Sequence, residues 1–180
     1  MPTKRDSKLM DAAWSGNTRE VERLVKKGAN VNSKSSLGVA ALKFAAAEGH
    51  IAAVELLIEL GARLDDKDSE GCTALMSAAR EGHPEVVGSL LARGADPLAT
   101  NDCGMTAMDI ALAHCDRDDA GFRGGRAQTK HEMIAATLRS AVEARGKRAL
   151  NYELQVGGGE ESETLASSSS SSSSSSFALV

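Results

Sequence analysis

The sequence predicts an all-α solenoid, built from helix–turn–helix units that repeat with a period of about 33 residues and stack side by side. Three observations predict it: glycines recur at this spacing, apolar residues recur in the same register, and aromatic residues are scarce. Hydrophobic residues make up 42% of the 180 residues, but aromatics make up only 3%. A core of alanine, leucine and valine is typical of short helices that pack closely together.

Glycine marks the period most clearly. Three glycine series share one step: Gly16, Gly49 and Gly82; Gly28, Gly61 and Gly94; Gly38, Gly71 and Gly104. Apolar residues recur with the same step at Val21, Val54 and Val87, at Leu24, Leu57 and Leu90, and at Ala12, Ala45, Ala78 and Ala111. Several independent series in one register indicate a true internal repeat.

The period at 68–100 shows how one unit folds. Thr73 is a suitable N-cap for a first helix from Ala74 to Glu81, and Gly82 can end that helix in the left-handed conformation. Pro84 fits the first turn of a second helix, where its missing N–H costs nothing. That second helix carries one apolar stripe, made by Val86, Val87, Leu90 and Leu91. A turn-rich segment around Gly104 then leads to the next unit.

These residues resemble the ankyrin repeat. The resemblance is carried by Gly71-Cys72-Thr73-Ala74-Leu75-Met76-Ser77-Ala78-Ala79-Arg80-Glu81-Gly82-His83-Pro84-Glu85-Val86-Val87 and by Leu90-Leu91-Ala92-Arg93-Gly94-Ala95-Asp96. It divides the chain into a degenerate first repeat at 1–34, repeats at 35–67 and 68–100, and a fourth repeat at 101–146 with a polar insert at 116–130. Stacked units of this family are joined by β-turns and hairpins.

The first and fourth repeats depart from the family pattern. In the first repeat, Ser7 takes the place of the capping threonine and Arg5 replaces the opening glycine. In the fourth, Cys115 replaces the helix-ending glycine, and the next helix is expected at His131–Arg145. The period alone would place the usual valine pair at 119–120, but Met133-Ile134 match it best. The insert is therefore predicted to shift the valine-pair position of the second helix from 119–120 to 133–134.

Two positions of the family motif and the C-terminal segment also differ from the family pattern. Alanine replaces the usual proline of the Thr-Pro-Leu-His motif, and its histidine is replaced by Lys43, Met76 and Asp109. The hydroxyl–imidazole network that the family forms between repeats is therefore expected to be absent, which predicts a less stable stack. Residues 147–180, with ten serines from Ser167 to Ser176, cannot bury apolar area and are predicted to be a disordered tail.

Charge and cysteine content limit the possible partners and compartments. The net charge of −4 gives no overall basic field for nucleic acid or an anionic membrane. The three cysteines are odd in number, as expected for reduced thiols in the cytoplasm or nucleus. The N-terminus lacks a signal peptide, and no apolar run approaches the ~18 residues of a membrane span. We therefore expect a soluble internal protein.

No motif for catalysis, a cofactor or a metal is found. A zinc site could be drawn from Cys103, His114, Cys115 and His131, but their spacing lacks the close pairs of structural zinc sites. Gly121, Gly124 and Gly125 lack the Gly-Lys-Ser/Thr ending of a phosphate loop. We expect His50 and His83 to have structural roles at helix starts, and we expect no enzyme activity.

The resemblance implies a protein-interaction module, monomeric by itself, that binds another protein through its turn tips and concave helix face. The family's variable surface positions are predicted to contact the partner: Trp14, Lys34, Leu37, Val39, Glu48, Lys67, Glu70, Cys72, Arg80, Glu81, Asp102, Met105 and His114. Trp14 is predicted either to anchor the partner or to cap the first repeat. An alternative is a regulatory or RNA-associated protein that uses the basic segment 117–148 and a phosphorylatable tail.

Overall fold

The computed structural model describes residues 2–118 and 129–156, and this part of the chain forms eight helices. They are α1 (Lys4–Trp14), α2 (Thr18–Lys26), α3 (Ala41–Ala47), α4 (Ile51–Glu59), α5 (Ala74–Glu81), α6 (Pro84–Ala92), α7 (Ala107–Asp118) and α8 (Lys130–Val156). The inner helices α1, α3, α5 and α7 pack against one another in that order, and α2, α4 and α6 form a second layer behind them. The predicted all-α solenoid is confirmed.

The third repeat folds as its sequence predicts. Helix α5 covers Ala74–Glu81, and the Thr73 hydroxyl accepts a hydrogen bond from the Met76 backbone N–H. Gly82 ends α5 at φ 75° and ψ 46°, a left-handed conformation that side chains rarely adopt. Pro84 is the first residue of α6. Local sequence signals therefore determine both ends of α5 and the start of α6.

Three short hairpins, at 35–39, 68–72 and 101–105, connect the repeats along one edge of the stack. In each, the first residue's N–H donates to the last residue's carbonyl oxygen: Ser35 to Val39 at 2.9 Å, Asp68 to Cys72 at 3.1 Å, and Asn101 to Met105 at 3.0 Å. Isolated antiparallel bridges join Lys34 to Ala40 and Thr100 to Thr106. The predicted turn and hairpin connections are thus present.

The core lies between the two helix layers and between adjacent repeats. The repeated alanines at 12, 45, 78 and 111 are at most 4% exposed, and Val21, Val54 and Val87 are fully buried. Alanine lets the inner helices approach closely, while the leucines of the outer helices, Leu24, Leu57 and Leu90, fill the space behind them. Each unit thus buries its apolar face on its neighbours.

The first helix begins earlier than its sequence predicts. Its N-cap is Thr3, not Ser7, which lies inside α1. Thr3 and Asp6 form a capping box: the Thr3 N–H donates to the Asp6 carboxylate at 2.8 Å, and the Asp6 N–H donates to the Thr3 hydroxyl at 3.3 Å. Asp6 also accepts from the Asn30 N–H at 2.8 Å, so its carboxylate joins both ends of the first repeat. This reciprocal cap fixes the earlier start.

Helices reach into both ends of the predicted polar insert. Helix α7 continues through Asp118 and α8 begins at Lys130, so both ends of the predicted segment 116–130 are helical. The predicted helix His131–Arg145 is longer than expected and extends to Val156. Residues 147–156 of the predicted disordered tail are therefore helical, and the serine run lies outside the described residues. The compact stack ends at Ala144.

The register of the fourth repeat differs by one position from the prediction. Ile134, Ala135 and Leu138 are buried, whereas Met133 is 45% exposed. His131 takes the place at the start of the outer helix that His83 takes in the third repeat. The valine pair is therefore matched by Ile134-Ala135 and not by Met133-Ile134. Burial of Ile134 and Leu138 on the stack decides this register.

Candidate functional site

The inner helices and the three hairpins carry the predicted partner-binding residues. Most of these side chains are exposed: Trp14, Lys34, Leu37, Glu48, Lys67, Glu70, Arg80, Glu81, Asp102 and Met105. Val39 and His114 are half-buried. The predicted residues therefore lie mainly where a partner could reach them, along the hairpin tips and at the ends of the inner helices.

Cys72 was predicted to contact the partner, and this prediction is wrong. Its side chain is 5% exposed and belongs to the core. Its N–H donates to the Asp68 carboxylate at 2.9 Å, and its carbonyl oxygen accepts from the Lys43 amine at 3.3 Å. The last residue of this hairpin thus points into the interface between repeats, which the period alone cannot show.

Lys34 and Lys67 are exposed, but their amines hold neighbouring repeats together. The Lys34 amine donates to the Lys67 carbonyl oxygen at 2.9 Å, and the Lys67 amine donates to the Thr100 carbonyl oxygen at 2.7 Å. Asp66 lies 3.7 Å from the Lys34 amine. Both lysine amines therefore already bond to the neighbouring repeat and help to set the spacing between repeats.

The hairpin tips form a continuous edge. The Ser69 N–H donates to the Leu37 carbonyl oxygen at 3.2 Å, and the Asp102 N–H donates to the Glu70 carbonyl oxygen at 3.1 Å. Leu37 is 65% exposed and Met105 is 37% exposed. These bonds fix the positions of the tips relative to one another, so two exposed apolar residues stand at opposite ends of one ordered edge.

Trp14 is exposed, and both its side chain and its backbone are bonded to the second repeat. The side chain is 57% exposed. The indole Nε1 donates to Glu48 Oε1 at 2.9 Å, and the Trp14 carbonyl oxygen lies 3.0 Å from His50 Nε2. An amphipathic ring held at its polar end can present its apolar faces to a partner with little loss of side-chain entropy on binding.

A set of three histidines supports this edge of the inner helices. His50, His83 and His131 place Nε2 at 3.0, 2.9 and 3.1 Å from the carbonyl oxygens of Trp14, Ala47 and Arg80 respectively. Each ring lies over a glycine, and a Cβ added at Gly49 would lie 2.5 Å from His83 Nδ1. His50 and His83 thus have the expected structural role. His131 was missed because no Gly-His pair precedes α8.

A buried ion pair joins the second and third repeats. The Lys43 amine donates to Asp68 Oδ2, and their side chains are 10% and 9% exposed. Burial by itself raises the pKa of Asp68, but hydrogen bonds from Lys43 and from the Cys72 and Glu70 N–H groups outweigh it and hold that pKa below its ordinary value. Lys43 replaces the family histidine, so a polar link between repeats survives at this position in a different form.

Three of the four candidate zinc ligands have described side chains: Cys103, His114 and His131. His114 and His131 stack with ring centroids 6.0 Å apart, and each has a ring nitrogen on a backbone carbonyl oxygen. Cys103 is exposed, and the Cys115 side chain lies outside the described residues. Within residues 2–118 and 129–156, no group of histidine, cysteine, aspartate and glutamate could hold a metal ion.

The basic segment 117–148 is only partly described. The structure describes the side chains of Lys130, Arg139 and Arg145 among its basic residues. Arg123 and Arg126, which form the Arg/Gly-rich part, lie outside the described residues. No helix in the described part of the chain is both long enough and apolar enough to cross a bilayer.

An open groove of about 650 Å³ lies at the first hairpin. It is lined by Pro2, Ser7, Met10, Lys34, Ser35 and Ser36. Met10 and Trp14 are one helical turn apart on α1, so the groove and the exposed indole lie along the same helix. The N-terminal half of the stack therefore combines a concave groove with the exposed indole of Trp14.

Comparison with known proteins agrees with this architecture. Residues 9–101 match the family model for ankyrin repeats in three copies. The chain is also similar to the mitochondrial disaggregases of Bos taurus and Homo sapiens, with 47% identity over 45 residues in each case. This match covers 25% of the chain and 7% and 6% of those proteins, so the chain spans less than a tenth of their length. Ankyrin repeats are generally non-catalytic modules that bind other proteins, and this chain belongs to the ankyrin-repeat family.

Proposed function

We propose that this protein is an adaptor or inhibitor that binds one partner protein through the concave ends of its inner helices and through its hairpin tips. The family supports protein binding in general, and the exposed surface supports this particular face. The observation that carries the proposal is Trp14, a large apolar side chain that is 57% exposed yet held in place by Glu48. Exposed tryptophans of this kind are enriched among the residues that dominate binding energy.

The contacts of Trp14 favour an anchor over a cap. A residue that capped the first repeat would bury most of its own surface on that repeat, but the Trp14 side chain is 57% exposed. The indole reaches across to the second repeat rather than towards the free end of the first. Its burial by a partner would therefore add apolar contact that folding has left unused.

The remaining contact residues divide by role. Leu37, Glu70, Asp102 and Met105 lie exposed at the hairpin tips, and Arg80 and Glu81 lie exposed at the end of α5. These supply the polar and apolar rim of the proposed interface. Lys34 and Lys67 contribute mainly by spacing the repeats. Val39 and His114 are half-buried and would contribute part of their surface.

We further propose that the protein acts as a monomer in the cytoplasm or nucleus. Cys72 and Cys103 are free thiols, which suits a reducing compartment. Association with the partner would then be reversible and non-covalent.

The test compares capture of partners by the full-length protein and two matched variants. Trp14→Ala removes the proposed anchor, whereas Leu98→Ala removes another exposed apolar residue, 54% exposed and outside the inner helices and hairpins. Proteins captured by the wild type should be retained by Leu98→Ala and lost with Trp14→Ala, with affinity falling at least about tenfold. Equal capture by both variants, or a large drop in the melting temperature of Trp14→Ala with unchanged affinity, would contradict the proposal.

A further inference from the structure

We infer that Trp14 and Glu48 together form a recognition site for a basic side chain, an arginine or lysine, on the partner. The inference rests on the proposed function and names the kind of partner side chain that this face binds. It is carried by three features of the described residues: the geometry of the indole–carboxylate pair, the charge at the ends of the inner helices, and an arginine–glutamate pair in the third repeat.

The first feature is a fixed carboxylate beside an open aromatic face. Glu48 Oε1 accepts from the Trp14 indole at 2.9 Å, and both side chains are exposed. Among the residues that the structure describes, Glu48 has no lysine, arginine or histidine nitrogen within the 4.0 Å of an ion pair. A cation placed here would meet the negative face of the indole and the carboxylate at once.

The second feature is the charge at this edge of the stack. Glu48 caps the C-terminus of α3 and Glu81 is the last residue of α5, where the helix dipole already places partial negative charge. Neither α1 nor α3 has a basic residue in its last turn. Asp11, exposed on α1 one turn before Trp14, adds a further negative charge. The site is therefore complementary to a cation that the first two repeats do not supply.

The third feature is that the third repeat supplies such a cation itself. Arg80 occupies the position equivalent to Trp14 two periods later, and Glu81 is equivalent to Glu48. Arg80 Nε lies 3.1 Å from Glu81 Oε1. Where the third repeat pairs its glutamate with its own guanidinium, the first two repeats present an indole and an open carboxylate. A guanidinium of the partner could pair with Glu48 as Arg80 pairs with Glu81 inside the third repeat, and it could also stack on the ring, which a planar arginine does better than lysine.

The experiment uses Trp14 as its own reporter, since it is the single tryptophan of the chain. The probe is a peptide of arginines alternating with glycines, titrated into the full-length protein while tryptophan emission is recorded. The control peptide replaces each arginine by citrulline, its uncharged isostere. We expect a saturable change in emission below about 1 mM with the arginine peptide. A second peptide, with lysine in place of each arginine, should bind more weakly, and the citrulline peptide should give no saturable change.

Two glutamine variants locate the binding. Glu48→Gln keeps an oxygen that can accept from the indole N–H but removes the charge. It should lower the affinity for the arginine peptide at least about threefold, as expected for an exposed charge pair. Glu85→Gln, exposed on the outer helix α6, removes the same charge elsewhere and should leave the affinity unchanged.

If both variants lowered the affinity for the arginine peptide equally, the peptide would be attracted to net negative charge alone, and the inference would be overturned. Failure of the arginine peptide to bind would also overturn it. The proposed function is tested separately by Trp14→Ala. If that variant loses its captured partner while the arginine peptide fails to bind, the interface stands and only its basic selectivity is wrong.

Discussion

Replacing Asp68 by asparagine tests how much one buried polar link contributes to the stack. The substitution leaves the Lys43 amine without its carboxylate between two repeats, where the two side chains are 10% and 9% exposed. Removing one partner of a buried pair costs about 3–5 kcal/mol. Here the cost should be lower, because asparagine can still accept from the Glu70 and Cys72 N–H groups and Lys43 keeps the Cys72 carbonyl oxygen. We expect a loss of about 2–3 kcal/mol in the free energy of unfolding at neutral pH.

The pH dependence of this loss gives an independent test. Because hydrogen bonds lower the pKa of folded Asp68, its ionised form stabilises the fold. The stabilisation is complete above the ordinary carboxyl pKa of 3.8 and is lost as the pH falls through the folded-state value. The difference between wild type and Asp68→Asn should therefore shrink below about pH 4.

The measurement is urea unfolding followed by far-ultraviolet circular dichroism, at neutral and acidic pH. Glu22→Gln serves as the control, because Glu22 pairs with Lys26 at 2.8 Å where both side chains are more than half exposed, and it should change stability little. A loss below about 0.5 kcal/mol for Asp68→Asn, or a loss that persists unchanged in acid, would refute the reasoning.

Three further predictions concern the packing and the ends of the stack. Leu90→Ala, at a fully buried leucine, should cost about 2–4 kcal/mol in urea unfolding, and a loss below about 0.5 kcal/mol would show that the repeat register is wrong. His131→Ala removes the bond to the Arg80 carbonyl oxygen and should speed amide hydrogen exchange in α7 and α8 while leaving α1–α4 unchanged; uniform faster exchange would contradict this. Limited proteolysis should cut first within 119–128 and beyond Val156, since both sequences lack apolar periodicity, and protection of the serine run would argue against a disordered tail.

The sequence predicts the central repeats well because their structure depends on short-range signals. Both ends of α5 follow from a threonine cap and a left-handed glycine, and the start of α6 follows from a proline at its first position. The repeated alanines and leucines are buried because every unit meets its neighbour through the same positions. Because each repeat makes the same contacts with its neighbour, the contacts of one repeat predict those of the next, and no contact between distant repeats has to be known.

The ends of the stack are less predictable because the period is broken there. The first helix starts at Thr3 because Asp6 reaches both Thr3 and Asn30. In the fourth repeat, burial of Ile134 and Leu138 and the bond from His131 set a register that an insertion had obscured in the sequence. Local resemblance alone could not decide whether the valine pair is matched at 133–134 or at 134–135.

The sequence by itself determined the fold and the family, and it predicted which face of the stack a partner would contact. Only the tertiary structure decided which side chains on that face are exposed and not already bonded to a neighbouring repeat. It buries Cys72, ties the amines of Lys34 and Lys67 to carbonyl oxygens one repeat away, and pairs Trp14 with Glu48 across two repeats. The reason is physical: a repeat period fixes which backbone positions are equivalent. Side-chain partners depend instead on distances of a few ångströms between neighbouring repeats, and those are set only when the repeats pack.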